Sequence, residues 1–332
     1  MKRIISIALI LSLCIGLATG CKKRTINNND DEKKISVVTT IFPQYDFTRE
    51  ISGDIVNLNM LIAPGAETHS YEPTPQDIMS IQNSDLFIYV GGESDTWIKS
   101  ILSSMDTSNK KIIALMDCVD ALEEENDTIA QFDDIIKNED DEDEIEQKTD
   151  SEDIDIKEYD EHVWTSPINA IKIVKKITGA LCELDPDNAS NYTNRMYNYI
   201  DKLTNLDEEF KSVVANSKRK VLAFGDRFPF RYFVDEYGLN YYAAFPGCAS
   251  QTETSAAKIA YMIEKIREND IPVVLKIELS NGNIAESIAE ATGTNVKTFY
   301  SCHNAPKKDF DSGATYIGYM KQNLETLKEA LN

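Results

Sequence analysis

The sequence predicts an α/β protein of two lobes, each built on a mostly parallel sheet flanked by helices, and joined by one long rigid spine helix. Three observations carry this. Between residues 35 and 115, short β-branched or apolar runs alternate with helical stretches, the β-α-β rhythm of a parallel sheet. The rhythm returns between residues 221 and 300. Between the two, Tyr192, Met196, Tyr199, Leu203, Leu206, Phe210 and Val213 recur at steps of four and three, which is one apolar stripe on a single helix.

Taken in order, the chain opens with Met1, Lys2 and Arg3, runs through an apolar stretch to Leu17, and reaches Ala18, Thr19 and Gly20 just before Cys21. That is the pattern of a bacterial secretion signal, too short and too one-sidedly flanked for a transmembrane helix. Small residues ahead of a cysteine are what lipoprotein processing requires, so residues 1–20 are expected to be a signal peptide and Cys21 a lipid anchor; an ordinary signal with a chance cysteine is the alternative. Residues 21–34, rich in Asn, Asp and Lys, read as a flexible tether.

The first lobe is expected over residues 35–184. Strands are predicted at 35–41, 56–62, 86–90 and 111–115, with helices at 43–52, 75–83 and 93–103. Thr74 is placed to cap the second of these, with Pro75 at its first position. The spine is expected within residues 185–217, starting near Asp185 and Pro186 and running about 28 residues, or roughly 40 Å at 1.5 Å per residue. The second lobe, residues 218–332, has predicted strands at 221–224, 239–245, 273–279 and 295–300, with helices at 229–237 and 255–268 and after each of the last two strands.

Residues 120–161 break the rhythm. They hold 21 Asp and Glu against three Lys, so they carry −18 of the formal −22 net charge of the 332-residue chain. Dense like charge and scarce aromatics predict a mobile insertion, either a solvated linker or a collector of cations near the mouth of a site. Nothing supplies a basic stripe, which argues against a nucleic-acid partner. With Cys14 cleaved and Cys21 lipidated, four of the six cysteines remain: Cys118, Cys182, Cys248 and Cys302. Outside the cytoplasm they can pair in three ways, and sequence does not choose among them.

The chain has three histidines, and each follows a predicted strand: His69, His162 after the insertion, and His303. Ligands of open α/β sheets gather at the carboxyl ends of strands. A lone loop histidine is most often a surface or capping residue. Three of them, two from one lobe and one from the other, can converge in the cleft and bind a borderline metal.

At this point the sequence resembles the zinc and manganese solute-binding lipoproteins of bacterial ABC importers. The residues that carry the resemblance are 39–45 (TTIFPQY), 64–75 (PGAETHSYEPTP), 160–167 (DEHVWTSP), the spine, 224–239 (FGDRFPFRYFVDEYGL) and 313–324 (GATYIGYMKQNL). The blocks around the first two histidines are the specific ones. The resemblance implies two lobes with metal held between them by four ligands, two per lobe, and His69 and His162 match its N-lobe pair. The C-lobe departs from the pattern. A His or Glu expected between Tyr241 and Cys248 is missing, leaving only Cys248, and His303 stands where an Asp or Glu is usual. Glu278, Asp226 and Cys248 are the candidates for the fourth ligand. Glu278 and Asp226 can instead act as acceptors that fix a histidine tautomer, the role favoured for Glu278. Cys248 and Cys302 can bind metal or bridge to each other; Cys118 and Cys182 can pack as small hydrophobes or pair.

The expected function is therefore capture of a divalent transition metal and its delivery to an ABC importer permease by a monomer anchored through Cys21 on the outer face of the cell membrane. Zn2+ is favoured over Mn2+, because imidazole-rich sites suit zinc and carboxylate-rich ones manganese. A zinc hydrolase is the first rival, but no HExxH or similar base-bearing motif is present. A surface adhesin sharing the fold is the second, and it does not exclude metal transport.

Overall fold

The computed structural model describes residues 34–68, 71–124, 158–247 and 254–332. The expected signal and tether, His69, most of the acidic insertion and Cys248 lie outside them. Two four-stranded sheets, all parallel, repeat one order: β2-β1-β3-β4 and β6-β5-β7-β8.

In the first sheet, β1 (Ser36–Thr39), β2 (Asn57–Met60), β3 (Leu86–Tyr89) and β4 (Lys111–Ala114) alternate with α1 (Phe42–Ser52), α2 (Pro75–Asn83) and α3 (Thr96–Ser104). α2 begins where its capping chemistry predicts, with Thr74 Oγ1 accepting the Asp77 backbone N–H and Asp77 accepting the Thr74 N–H in return. Among the described residues, no helix is long and apolar enough to cross a membrane.

Between the first lobe's last predicted strand and the spine lies a helix not expected from the sequence, α4 (Pro167–Leu184). Ser166 caps it by accepting the Asn169 N–H, proline occupies its first turn, and Ala170, Ile173, Val174, Ile177 and Leu181 bury one face. The spine, α5 (Ala189–Ala215), has 27 residues. Its stripe is buried at Tyr192, Tyr199, Leu203, Leu206 and Phe210 and half-buried at Met196 and Val213.

The second sheet takes β5 (Val221–Arg227), β6 (Asn240–Phe245), β7 (Val273–Lys276) and β8 (Asn295–Thr298), with α6 (Arg231–Tyr237), α7 (Ala256–Glu268), α8 (Asn283–Thr292), α9 (Lys307–Asp311) and α10 (Tyr316–Ala330). The spine packs on α1 and α4 from one side and on α6 and α10 from the other. One hydrophobic core consequently includes Phe47 and Trp164 together with Phe210, Phe233 and Tyr316. Buried polar contacts add to it: Asp46 on α1 accepts the Tyr316 backbone N–H at 2.6 Å, and Arg49 donates to the Ala314 carbonyl at 2.7 Å. The lobes are thus joined by core as well as by chain.

One expectation needs correcting. The ends of the acidic segment are ordered: Glu123 pairs antiparallel with Tyr159, the Glu124 N–H donates to the Glu158 carbonyl, and the Asp160 N–H to that of Leu122. Backbone pairing outweighs like-charge repulsion at this root. Cys118 and Cys182 are free thiols packed against the core, the first of the two roles expected of them.

Candidate metal-binding cleft

The cleft between the sheets encloses about 380 Å³ with its open mouth, and Ala66, Glu67 and Thr68 from the first lobe face Arg227, Glu278 and His303 from the second across it. His162 lines it from the segment that returns out of the insertion. It sits just before a 3-10 turn, Val163–Thr165, whose last residue donates both its N–H and its hydroxyl to the His162 carbonyl, at 3.1 and 2.8 Å. The backbone on either side of the imidazole is therefore fixed.

His162 is fully buried. Burial alone would lower its pKa, but the Asp160 charge and hydrogen bond, with Glu161 and Glu124 nearby, hold it above the usual histidine value. Asp160 Oδ1 lies 3.2 Å from Nδ1 and also accepts the His162 backbone N–H at 2.8 Å. A carboxylate on Nδ1 orients the ring, and Nε2 is then the nitrogen that a metal would take. Gly247 completes the packing here. A Cβ at that position would lie 2.9 Å from the Phe228 carbonyl oxygen and 3.5 Å from His162 Cε1, so only glycine lets the chain pass this close.

His303 meets His162 from the other lobe. Their ring centroids are 5.2 Å apart and nearly perpendicular, and both rings contact the buried Trp164 edge-on, at 5.5 Å for His162 and 5.1 Å for His303. The Trp164 indole N–H donates to the Ser301 carbonyl at 2.8 Å, tying the two histidine loops together across the cleft.

Glu278 organises the His303 loop. Its Oε2 accepts the Ser301 N–H at 2.7 Å, while Oε1 accepts the Ser301 hydroxyl at 2.7 Å and the His303 backbone N–H at 3.1 Å. Burial raises its pKa, and those bonds pull the other way. Glu278 thus supports His303 through the backbone, where the sequence analysis expected it to act on a ring. Asp226 is buried too: Oδ1 accepts the neighbouring Arg227 N–H (2.8 Å) within β5, and Oδ2 accepts the Ile277 N–H (3.2 Å) just beyond β7, so one oxygen fixes its own strand end and the other ties β5 to β7. Cys302 is a free, fully buried thiol among core residues, with a left-handed backbone (φ 59°) that turns it away while its neighbour His303 lines the cleft. Among the described residues, no group of three His, Cys, Asp or Glu side chains is gathered tightly enough to hold an ion. His69 and Cys248 lie outside those residues, but Thr68, next to His69, lines the cleft.

Sequence reasoning missed Arg227 and Glu67. Arg227 Nη2 lies 3.3 Å from Glu67 Oε2, a pairing of residues 160 positions apart that no local pattern announces.

The family model of the zinc-uptake complex component A, periplasmic, matches residues 37–330. The chain belongs to this family. Zinc-uptake complex component A proteins are metal-binding transport components and not enzymes, and this member is an extracytoplasmic one. The chain is 30% identical over 324 residues to the high-affinity zinc uptake system protein ZnuA of Bacillus subtilis (strain 168), covering 97% of this chain and 96% of that one. To the zinc-binding lipoprotein AdcA of Streptococcus pneumoniae (strain R6) it is 28% identical over 97% of its own length, but it spans only 60% of that relative. A solved structure, the metal-dependent lipoprotein YcdH of Bacillus subtilis, superposes with a TM-score of 0.72 at 29% identity, covering 90% of this chain and all of that one. The two-lobe fold is therefore the family's.

Proposed function

We propose that this chain captures a divalent transition metal, zinc before manganese, in the inter-lobe cleft and delivers it to an ABC importer permease while anchored through Cys21 to the extracytoplasmic face of the cell membrane. The observation that carries the reading is the meeting of His162 and His303, from different lobes, with ring centroids 5.2 Å apart in one cleft. A metal binds there by drawing one ligand from each side, with His69 as the third. Two or three imidazoles favour zinc over manganese, whose sites lean on carboxylates. Glu278 and Asp160 hold the histidine loops and Asp226 braces the strands beneath; none is needed as a ligand for this reading. The relatives' names lend support, ZnuA being a zinc uptake protein and AdcA a zinc-binding lipoprotein. The domain limits follow: residues 35–184 and 218–332 for the lobes, 185–217 for the spine.

Calorimetric titration of the mature domain with zinc and with manganese tests this. One zinc per chain is expected, and His303→Ala should weaken it a hundredfold or more, about 3 kcal/mol at 1.4 kcal/mol per tenfold. Stronger manganese than zinc binding, or a His303→Ala variant that binds zinc like the parent, refutes the proposal.

A further inference from the structure

Arg227 places a positive charge on the wall of a cleft read above as a site for a positive cargo, and this inference rests on that reading. The placement is built from both sides. Arg227 ends β5 where its register with β6 shifts between Phe224 and Arg227, an irregularity of the kind that re-aims a side chain, and Asp226 fixes the local backbone by accepting the Arg227 N–H. Glu67 is set from the opposite lobe. Asn304, almost fully buried, donates from Nδ2 to the Ala63 carbonyl (2.9 Å) and the Ala66 carbonyl (3.0 Å), pinning the loop that carries Glu67.

The ion pair itself is wet: the Arg227 side chain is 21% exposed and that of Glu67 50%. Such a pair contributes little to folding. Its consequence lies in the cleft. A guanidinium opposes a divalent cation nearby, by on the order of tenfold in the dissociation constant when water partly screens the pair, and a carboxylate at the same place favours it by a similar factor.

We propose that Arg227 and Glu67 set how long the cleft retains its cation, Arg227 hastening release and Glu67 restraining Arg227. With the cleft as described, Glu67 neutralises the guanidinium. An arriving divalent ion competes for Glu67, so Arg227 is left to oppose the cargo only once it is bound. The site is thereby kept from holding the ion too tightly for delivery.

The experiment is zinc dissociation from the intact mature domain, followed by stopped flow into excess chelator, for the parent, Arg227→Gln, Glu67→Gln and Arg227→Lys. Arg227→Gln should release zinc about tenfold more slowly, Glu67→Gln about tenfold faster, and Arg227→Lys at the parental rate. Both changes should shrink at high salt, where exposed charges are screened. A merely structural pair predicts that both removals speed release alike, and by the same factor at low and high salt. That result, or parental release from Arg227→Gln, overturns the inference while leaving the cleft's function standing; a parent that takes up no zinc overturns both.

Discussion

Asp46→Asn should change how stability responds to pH, and the size of the change can be worked out in advance. Asp46 is 0% exposed within α1, beside Arg49 and beneath the Tyr316 backbone N–H that opens α10. Burial strips water from the ionised form and raises the pKa from 3.8 to about 6, against the pull of Arg49 and the Tyr316 N–H. Because the folded value lies above the unfolded one, the folded state takes up a proton before the unfolded chain does. Stability from this group therefore grows as pH falls from about 6 towards 3.8, and above that window the ionised carboxylate costs about 3 kcal/mol at 1.36 kcal/mol per unit. The asparagine cannot titrate and carries no such cost. Urea unfolding of the metal-free domain from pH 7.5 to 4.5 should show the difference, parent minus variant, swinging by roughly 2 kcal/mol in favour of the parent as the pH drops. Asp95, also raised to about 6 by burial, titrates in both proteins and cancels. Parallel curves, within about 0.5 kcal/mol across that range, would show that Asp46 ionises freely in the fold and refute the reasoning.

Zinc affinity should decline as pH falls, starting above the ordinary histidine value near 6.5, because Asp160 raises the His162 pKa and protons compete for the ring earlier; a flat profile from pH 8 to 5 would falsify the histidine site. Replacing residues 125–157 with a short turn between Glu124 and Glu158 removes 15 acidic and three basic residues, net −12, and should leave the melting temperature and the tight site unchanged, since the root pairs without them. Loss of the site on calorimetry would make the insertion part of it. Gly225→Ala should cost roughly 2–3 kcal/mol in denaturant unfolding, because its Cβ would come within 2.5 Å of the Ala285 backbone on α8, where neither chain can yield; parental stability would mean that β5 and α8 separate easily.

What could be read in advance was whatever local chemistry decides. α2 starts where Thr74 and Pro75 put it, and the spine follows from one stripe of apolar residues. Most strands are shorter than predicted, chiefly at their carboxyl ends, where buried apolar residues such as Ile62 and Ile277 extend the apolar run past the ladder, whereas β5 runs three residues longer, to Arg227. α4 was missed although Ser166, Pro167 and its buried stripe are regular signals, because the acidic insertion before it interrupts the alternation that organised the reading. At the site, His303 follows the end of β8 as strand ends predict, whereas His162 enters the cleft from just ahead of α4, beyond the insertion and far from the end of β4; the status of Cys302 could not be read, since a left-handed residue decides which of two neighbours faces the cleft. Arg227 with Glu67, and Asn304 with the loop at Ala63, depend on tertiary placement alone.

The root of the acidic insertion bears on how such proteins diversify. Its two ends are joined by one antiparallel bridge and their own backbone bonds, and the Tyr232 hydroxyl locks them from α6, accepting the Leu122 N–H and donating to the Asp160 carbonyl. Asp160 in turn orients His162. Whatever is spliced between Glu124 and Glu158 thus hangs from a clamp that has already fixed the imidazole, so length and composition there are free to drift under mutation without detuning the site. For the engineer the same clamp is a port: a reporter or affinity handle inserted between Glu124 and Glu158 would sit a few residues from His162 and leave the bonds that hold its ring in place.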